Sequence, residues 1–112
     1  MAANTVELEV EKMRAAAEEA TALLRALAKP DRLFLLSNLS QAERCVSELE
    51  EELGIEQPTL SQQLTVLRTQ ELVSTRRDGK WIYYSVSDPK VLAVLETLYR
   101  LFCAPRGKRR AN

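Results

Sequence analysis

Gly54 lies between two segments that each carry the start signals of a helix, and this arrangement restricts the possible folds more than any other part of the chain. Ser47 and Glu50 have the spacing of a capping box, which predicts a short helix over residues 47–53 that Gly54 closes. A three-residue turn follows, and Pro58 then lies in the first turn of a second helix that continues to about residue 71. A helix, a short turn with glycine and a second helix predict a helix-turn-helix unit.

Two further segments carry long apolar stripes with helical spacing. Residues 5–28 contain no glycine or proline, and their stripe consists of Leu8, Met13, Ala16, Ala17, Ala20, Leu23, Leu24 and Leu27. Ser87-Asp88-Pro89 caps a last helix over residues 90–103, and its stripe consists of Val91, Leu92, Leu95, Leu98, Tyr99 and Phe102. The first helix is long for so small a domain, so we expect part of its stripe to need a partner.

A helix and a hairpin complete the predicted elements. Lys29-Pro30-Asp31 begins a second helix that continues to about residue 39, and the polar residues 40–44 form a connection. Asp78-Gly79 between two β-favouring runs predicts a hairpin. We expect its aromatic residues, Trp81 with Tyr83 or Ile82 with Tyr84, to pack the hairpin onto the helices rather than stack on bases.

These elements predict a mainly α fold with a small β-hairpin wing, in the order α-α-α-α-β-β-α, which is a winged helix-turn-helix. We expect one DNA-binding and dimerisation domain over residues 1–104 and a basic flexible tail over residues 105–112.

The zero net charge hides an unequal distribution. Residues 1–56 hold 6 basic and 12 acidic residues, and residues 57–112 hold 10 basic and 4 acidic residues. A basic half is expected where a chain meets phosphates, since neutralising them releases counterions, although a solvated surface gives the same composition. No apolar signal-peptide core and no run of about 18 apolar residues is present, so a cytoplasmic location is expected. The chain has no histidine, which removes the commonest general base and the commonest transition-metal ligand. We expect no catalytic residue, no metal site and no cofactor.

The second helix of the helix-turn-helix has the composition of a base-reading helix. On a helical wheel Leu60, Leu64 and Leu67 face the core, while the outward residues are Thr59, Gln62, Thr65, Val66 and Thr69, with Ser61 and Gln63 on the flanks. Amides and hydroxyls bond base edges, so we predict base contacts by Gln57, Thr59, Ser61, Gln62 and Gln63. An amphipathic surface helix is the alternative, but 8 of the 14 residues over 57–70 are polar and uncharged, where such a helix tends to carry Lys and Glu.

The remaining predicted DNA contacts are basic residues at the end of that helix and at the hairpin tip: Arg68, Arg76, Arg77 and Lys80. A hairpin tip can reach phosphates or the adjacent minor groove, which suits these side chains. A solvated turn is the alternative.

Three stretches of this sequence resemble the ArsR-type repressors: AKPDRL over residues 28–33, QPTLSQQLTVLR over residues 57–68, and LV at 72–73 followed by RRDGKWIYY over residues 76–84. The resemblance extends over nearly the whole chain. It implies a homodimer joined by the first and last helices, whose paired recognition helices bind a two-fold double-stranded operator. It also implies that an effector lowers operator affinity and releases transcription.

The cysteines indicate the kind of effector. Metal sensors in this family place a Cys-x-Cys pair at the start of the third helix, or His and acids on the last helix, whereas here Ser47 stands where the second cysteine would be. One cysteine in each segment resembles the persulfide sensors of the SqrR/BigR type. This resemblance implies that Cys45 and Cys103 sense reactive sulfur species and become linked by sulfur.

Local chemistry is compatible with this hypothesis. Cys45 lies beside Arg44 near the positive end of a helix, which favours a thiolate. The dipole at Cys103 disfavours an anion, but the basic tail (Arg106, Lys108, Arg109 and Arg110) favours it. A persulfide on one sulfur can be attacked by the other thiolate, and the link would shift the population away from the DNA-competent shape.

Several alternatives stay open. Both cysteines could be small buried hydrophobes, or the inducer could be arsenite, another thiophilic metal or a thiol oxidant. A thiol-exchange enzyme would need a nearby second cysteine or a base, and neither is visible. A protein-interaction module without a DNA role is the remaining class.

Overall fold

The computed structural model describes residues 2–103, with side chains from residue 7 onward, so the predicted tail over residues 105–112 lies outside the described residues. The helices are α1 (Ala2–Leu27), α2 (Pro30–Gln41), α3 (Val46–Leu53), α4 (Gln57–Thr69) and α5 (Pro89–Phe102). The strands are β1 (Arg44–Cys45), β2 (Ser74–Asp78) and β3 (Trp81–Ser85). The predicted helices and the hairpin are confirmed, and the mainly α winged helix-turn-helix is the observed fold.

The predicted element order lacked one strand. Residues 40–44 are not a simple connection, because α2 continues to Gln41 and β1 pairs antiparallel with β3, with Arg44 opposite Tyr84 and Cys45 opposite Tyr83. The sheet order is β1-β3-β2. A two-residue strand has no periodicity of its own and forms only where another strand offers an edge, so the local sequence gave no signal for it.

The predicted capping box is displaced by two residues. The N-cap of α3 is Cys45, whose backbone N–H donates to Oε1 of Glu48 at 2.9 Å, so the Ser47 and Glu50 assignment was wrong. The strand explains the displacement: Cys45 is extended by its pairing with β3, and the helix begins directly after it. The predicted end of α3 is confirmed, since Gly54 has φ +70° and its N–H donates to the Glu50 carbonyl at 2.9 Å.

The other local signals have the structure that they predict. The Asp88 carboxylate accepts from the Lys90 N–H at 2.8 Å and caps α5. Strands β2 and β3 are joined by Gly79 and Lys80, and Gly79 has φ +63°, the left-handed conformation that a tight hairpin turn needs.

The core lies where α2, α3, α4 and α5 meet. Its most completely buried side chains are Leu35, Leu36, Leu39, Leu49, Leu60, Leu67 and Val91. Tyr84 fixes the sheet to this core and is 9% exposed. The prediction for the other aromatic positions of the hairpin was wrong in part, because Trp81 is 46% and Ile82 37% exposed near the tip, beyond the reach of the helices.

Helix α1 contributes only its last turns to the core. Ala26 and Leu27 are buried, but every side chain over residues 7–22 is exposed, including Leu8 at 64% and Met13 at 71%. The radius of gyration is 17.8 Å, against about 13 Å expected for a compact domain of this length. The apolar stripe of α1 is therefore left without a partner within one chain. No helix over residues 2–103 combines the length and the apolar character that crossing a bilayer requires.

Candidate nucleic-acid interface and thiol groups

The burial of α4 separates its two faces as the helical wheel predicts. Leu60, Leu64 and Leu67 are 0%, 2% and 0% exposed, respectively. The rest of the helix surface, which we call the recognition face, carries the residues predicted to contact bases, with Gln62 opposite the leucines and the others at its sides: Gln57, Thr59, Ser61 and Gln63. The three leucines fix the helix on the core and leave the amides and hydroxyls around the rest of its circumference.

Hydrogen bonds already order part of the recognition face. The Ser61 hydroxyl donates to Oε1 of Gln57 at 2.6 Å, and the Thr65 hydroxyl donates to the Ser61 carbonyl at 2.9 Å. Gln57, Ser61 and Gln62 are exposed, whereas Thr59 and Gln63 are half-buried. Among the described residues, no hydrogen-bond partner is found for the Gln62 side chain, so its whole amide is available to a ligand.

Gln63 has a partner that sequence reasoning missed. Arg32, at the start of α2, donates from Nη1 to Oε1 of Gln63 at 3.2 Å. The same guanidinium donates to the carbonyls of Arg25 and Ala26 at the end of α1. The position of Arg32 just after Pro30 could have suggested a contact with the end of α1, but nothing in the local sequence indicates α4.

The three cations of the wing differ in their surroundings. Arg76 donates to the Glu43 carboxylate at 2.6 Å from Nη2 and 3.2 Å from Nε, and its guanidinium lies 4.9 Å from the ring centroid of Tyr83. These hydrogen bonds hold the pKa of Glu43 below its ordinary value, against a smaller effect of burial. Arg76 is thus a brace between the wing and the segment before β1, and DNA would have to compete with Glu43 for it.

Arg77 and Lys80 remain open to a ligand. Both are exposed, and Arg77 has no ion pair or hydrogen bond among the described residues. The Lys80 ammonium lies 5.1 Å from the ring centroid of Trp81, at the hairpin tip. Arg68 is exposed in the last turn of α4. These three residues are exposed cations, one at the end of α4 and two in the wing.

The two cysteines are both free but differ in exposure. Cys45 is 6% exposed, and its Sγ lies 3.3 Å from the hydroxyl of Ser47. Cys103 is exposed at the end of α5, where its N–H donates to the Tyr99 carbonyl at 2.7 Å. The burial that the alternative of two buried hydrophobes assumes for both thiols is therefore found at Cys45 and not at Cys103. Within residues 7–103 no group of three or more Cys, Asp or Glu side chains could hold a metal ion.

A groove with a volume of about 830 Å³ lies between α2 and α5. On the α5 side it is lined by Leu92, Glu96 and Tyr99, and the four- and three-residue spacing of this stripe continues to Cys103. On the α2 side, Asn38 donates to Oε1 of Glu52 at 2.9 Å, and Arg44 pairs with the same carboxylate at 3.0 Å. Both hydrogen bonds lower the pKa of Glu52, and the bond from Asn38 has the larger effect.

The fold, the packing of α4 and the basic wing define a winged helix-turn-helix regulator of transcription. Residues 29–75 match the family model described as bacterial regulatory protein, arsR family. The chain is 48% identical over 99 residues to the biofilm growth-associated repressor of Agrobacterium fabrum, covering 88% of this chain and 85% of that protein. The chain belongs to the ArsR family. Its family and relatives are regulators rather than enzymes.

Solved structures agree with this assignment. The transcriptional repressor BigR from Xylella fastidiosa superimposes with a TM-score of 0.79 at 45% identity, covering 85% of this chain and 97% of that chain. Reduced HlyU from Vibrio cholerae gives a TM-score of 0.79 at 38% identity, covering 83% of this chain and 98% of that chain. The superposition covers nearly the whole chain of each of these two solved structures.

Proposed function

We propose that this ArsR-family regulator is a homodimeric repressor that binds a two-fold operator through α4 and leaves it when an inducer links Cys45 to Cys103. The observation that supports operator binding best is the division of α4. Three leucines hold one face on the core, and the other face presents uncharged amides and hydroxyls. Such groups suit base edges in the major groove. Arg68, Arg77 and Lys80 would supply phosphate contacts.

The unpartnered stripes support the dimer. Leu8 and Met13 on α1 and Tyr99 and Phe102 on α5 are between 59% and 73% exposed in the single chain. Apolar surface of this extent indicates an interface between proteins. A two-fold axis through α1 and α5 would present both α4 helices to one side of a duplex, with half-sites about 34–36 Å apart.

The proposed inducer is a persulfide or polysulfide. Its sulfane sulfur would transfer to the exposed Cys103 thiolate to give Cys103–S–SH, and the donor would leave as a thiol. The Cys45 thiolate would then attack the Sγ atom of Cys103, forming the Cys45–Cys103 disulfide while the outer sulfur leaves as hydrogen sulfide, so that two thiols are oxidised and one sulfane sulfur is reduced. A longer bridge forms when both cysteines carry a sulfane sulfur and one of these leaves as sulfide.

The position of Cys45 offers a route from this link to DNA. Its backbone pairs with Tyr83 in the wing, and its N–H caps α3, the helix before α4. Formation of the link would have to bring the exposed Cys103 together with Cys45, which is buried in the reduced chain, and we expect Cys45 to be displaced. Such a movement would disturb the cap and the β1–β3 pairing together, and so shift the population away from the DNA-competent arrangement.

One experiment tests both parts of the proposal. Operator DNA from upstream of the gene is titrated with reduced protein and with protein treated with a polysulfide, and the products are weighed under non-reducing conditions. We expect affinity that falls steeply with salt for the reduced protein and much weaker binding after treatment. The mass should show the loss of two hydrogens, plus one sulfur for each additional bridging atom.

Matched variants make the test specific. Cys45→Ser and Cys103→Ser should each bind operator as the untreated protein does and should keep their affinity after polysulfide. Arsenite serves as a second inducer, because release by arsenite and not by polysulfide would replace the sulfur proposal with metalloid sensing. Unchanged cysteine masses after polysulfide contradict sulfur sensing, and affinity that is insensitive to salt contradicts operator binding.

A further inference from the structure

The guanidinium of Arg32 joins the end of α1 to the recognition face. Its Nε donates to the Ala26 carbonyl at 2.6 Å, and its Nη2 donates to the Arg25 carbonyl at 3.0 Å. Both carbonyls belong to the last turn of α1, where a positive charge is favourable, and the Arg25 carbonyl also accepts from the Ala28 N–H at 3.2 Å. Two hydrogen bonds to α1 therefore fix the position of the guanidinium, independently of its contact with α4.

The remaining terminal nitrogen sets the orientation of Gln63. Nη1 of Arg32 donates to Oε1 of Gln63 at 3.2 Å. A guanidinium only donates, so the amide atom that faces it must be the oxygen, and the NH₂ group points away from Arg32. Because the amide is planar, holding its oxygen also restricts the direction of its two N–H bonds.

Gln62 and Gln63 are therefore different ligands for DNA, although they are adjacent and chemically identical. The exposed Gln62 amide can offer its oxygen and its nitrogen together, as a bidentate contact with adenine requires. Gln63 has its oxygen engaged by Arg32 and offers its donors.

We propose that Arg32 is a positioning residue for DNA recognition, because it holds the Gln63 oxygen and so directs Nε2 to a hydrogen-bond acceptor on the DNA. The acceptor is a purine N7 or a carbonyl oxygen on a base edge, or a phosphate oxygen. This inference rests on the proposed operator binding. It also makes the geometry of one contact depend on the last turn of α1.

Substitution of both partners tests the coupling. Lysine can still place a charge near the α1 carbonyls, but its compact ammonium cannot hold two carbonyls and Gln63 in one plane. We expect Gln63→Ala to weaken operator binding by about tenfold, as the loss of one specific contact does. Arg32→Lys should give a similar loss, and the double variant should lose no more than either single variant. Thermal unfolding of each variant checks that the fold is retained.

Gln62→Ala is the matched control, and its loss should add to that of Arg32→Lys. Operators with single 7-deazapurine or methylphosphonate substitutions locate the acceptor, since Gln63→Ala should become insensitive to one such change only. Additive losses for Arg32→Lys and Gln63→Ala, or a Gln63→Ala variant that stays sensitive to every such substitution in the operator, would overturn the inference.

A measurement without DNA separates this inference from the repressor proposal. The side-chain NH₂ resonances of Gln63 should move towards random-coil positions in Arg32→Lys, while those of Gln62 stay in place. If the Gln63 resonances do not respond, the inference is wrong whatever the protein does with DNA. If they respond and the unmodified protein binds no duplex, the repressor proposal fails and the DNA role of Arg32 fails with it, while the contact itself stands.

Discussion

Cys45 and Tyr83 are paired across β1 and β3, so the backbone of a thiol-bearing residue is part of the wing sheet. The ring of Tyr83 lies beside the guanidinium of Arg76, which in turn bridges to Glu43, two residues before Cys45. The backbone pairing, the ring contact and the ion pair thus connect Cys45 to Glu43 through the wing, in addition to the short chain segment between them. A displacement of Cys45 would change these contacts, so substitutions at the ion pair and in the wing can test whether Cys45 affects DNA binding.

The first prediction concerns the brace itself. Arg76→Ala removes the ion pair with Glu43 and the contact with Tyr83, so β1 should separate from β3 more often. We expect faster hydrogen exchange at the backbone amides of the β1–β3 pair, measured by NMR. Arg77→Ala removes a neighbouring cation with no partner in the described residues and should leave those rates unchanged. Equal rates in the two variants would contradict the brace.

The second prediction concerns the salt dependence of DNA binding, for which Arg77→Ala should have a larger effect than Arg76→Ala. Arg77 is exposed and unpaired within the described residues, so its full charge is available to phosphate. Arg77→Ala should reduce the magnitude of the slope of log K against log salt by about 1 per protomer, and so by about 2 for the proposed dimer. Arg76→Ala should change the slope less, because Glu43 already neutralises that charge. Titrations by fluorescence anisotropy over a range of salt concentrations measure both slopes, and a larger change for Arg76→Ala would show that DNA displaces Glu43.

The pH dependence of the brace has a defined sign. The hydrogen bonds from Arg76 hold the pKa of Glu43 below the ordinary value of 4.5. A carboxylate with a depressed folded-state pKa contributes stability above its unfolded pKa and loses it as the pH falls through the folded one. The brace should therefore be intact at neutral pH and break only below the ordinary glutamate range.

A carboxyl-carbon NMR titration of Glu43 provides the measurement. The midpoint should lie below 4.5 in the unmodified protein and return towards that value in Arg76→Ala. A Glu43 midpoint that does not respond to Arg76→Ala would show that the bridge is not formed in solution.

The packing of α4 predicts a large loss of stability at a single leucine. Leu64 is 2% exposed beneath the recognition face, so Leu64→Ala leaves a cavity and should lower the free energy of unfolding by about 2–5 kcal/mol. Val66, on the half-buried outer side of the same helix, is the control, and Val66→Ala should cost less than about 1.5 kcal/mol. Denaturant unfolding at one fixed protein concentration measures both, since association would add to the apparent stability.

Features with local causes could be predicted from the sequence. The burial of Leu60, Leu64 and Leu67 follows from helical period, the left-handed Gly54 from a helix end, and the Asp88 cap from an N-cap residue before proline. Each depends on residues within a few positions of one another. The same reasoning identified the face of α4, although it could not distinguish Gln62 from Gln63.

Features that need a distant partner could not be predicted. Arg76 and Glu43 are 33 residues apart, Arg32 and Gln63 are 31 apart, and β1 exists only because β3 offers it an edge. The capping box shows the consequence for local reasoning. Ser47 and Glu50 fit the pattern, but pairing of Cys45 with β3 decides which residue is extended and therefore which residue caps α3.

The last prediction concerns the proposed dimer. Met13 is 71% exposed on α1, so within one chain a glutamate at this position meets water and costs the fold little. In a dimer joined through α1 the same carboxylate would be removed from water without a partner, which is strongly unfavourable. We therefore expect the unmodified protein to sediment as a dimer and Met13→Glu to sediment as a monomer with unchanged helix content by circular dichroism. Arg14→Glu places the same charge about 100° from Met13 and 120° from Leu8, on the side of α1 that Glu11 and Glu18 occupy, and should remain dimeric. A dimer that survives Met13→Glu but not Arg14→Glu would place the interface on that charged side of α1.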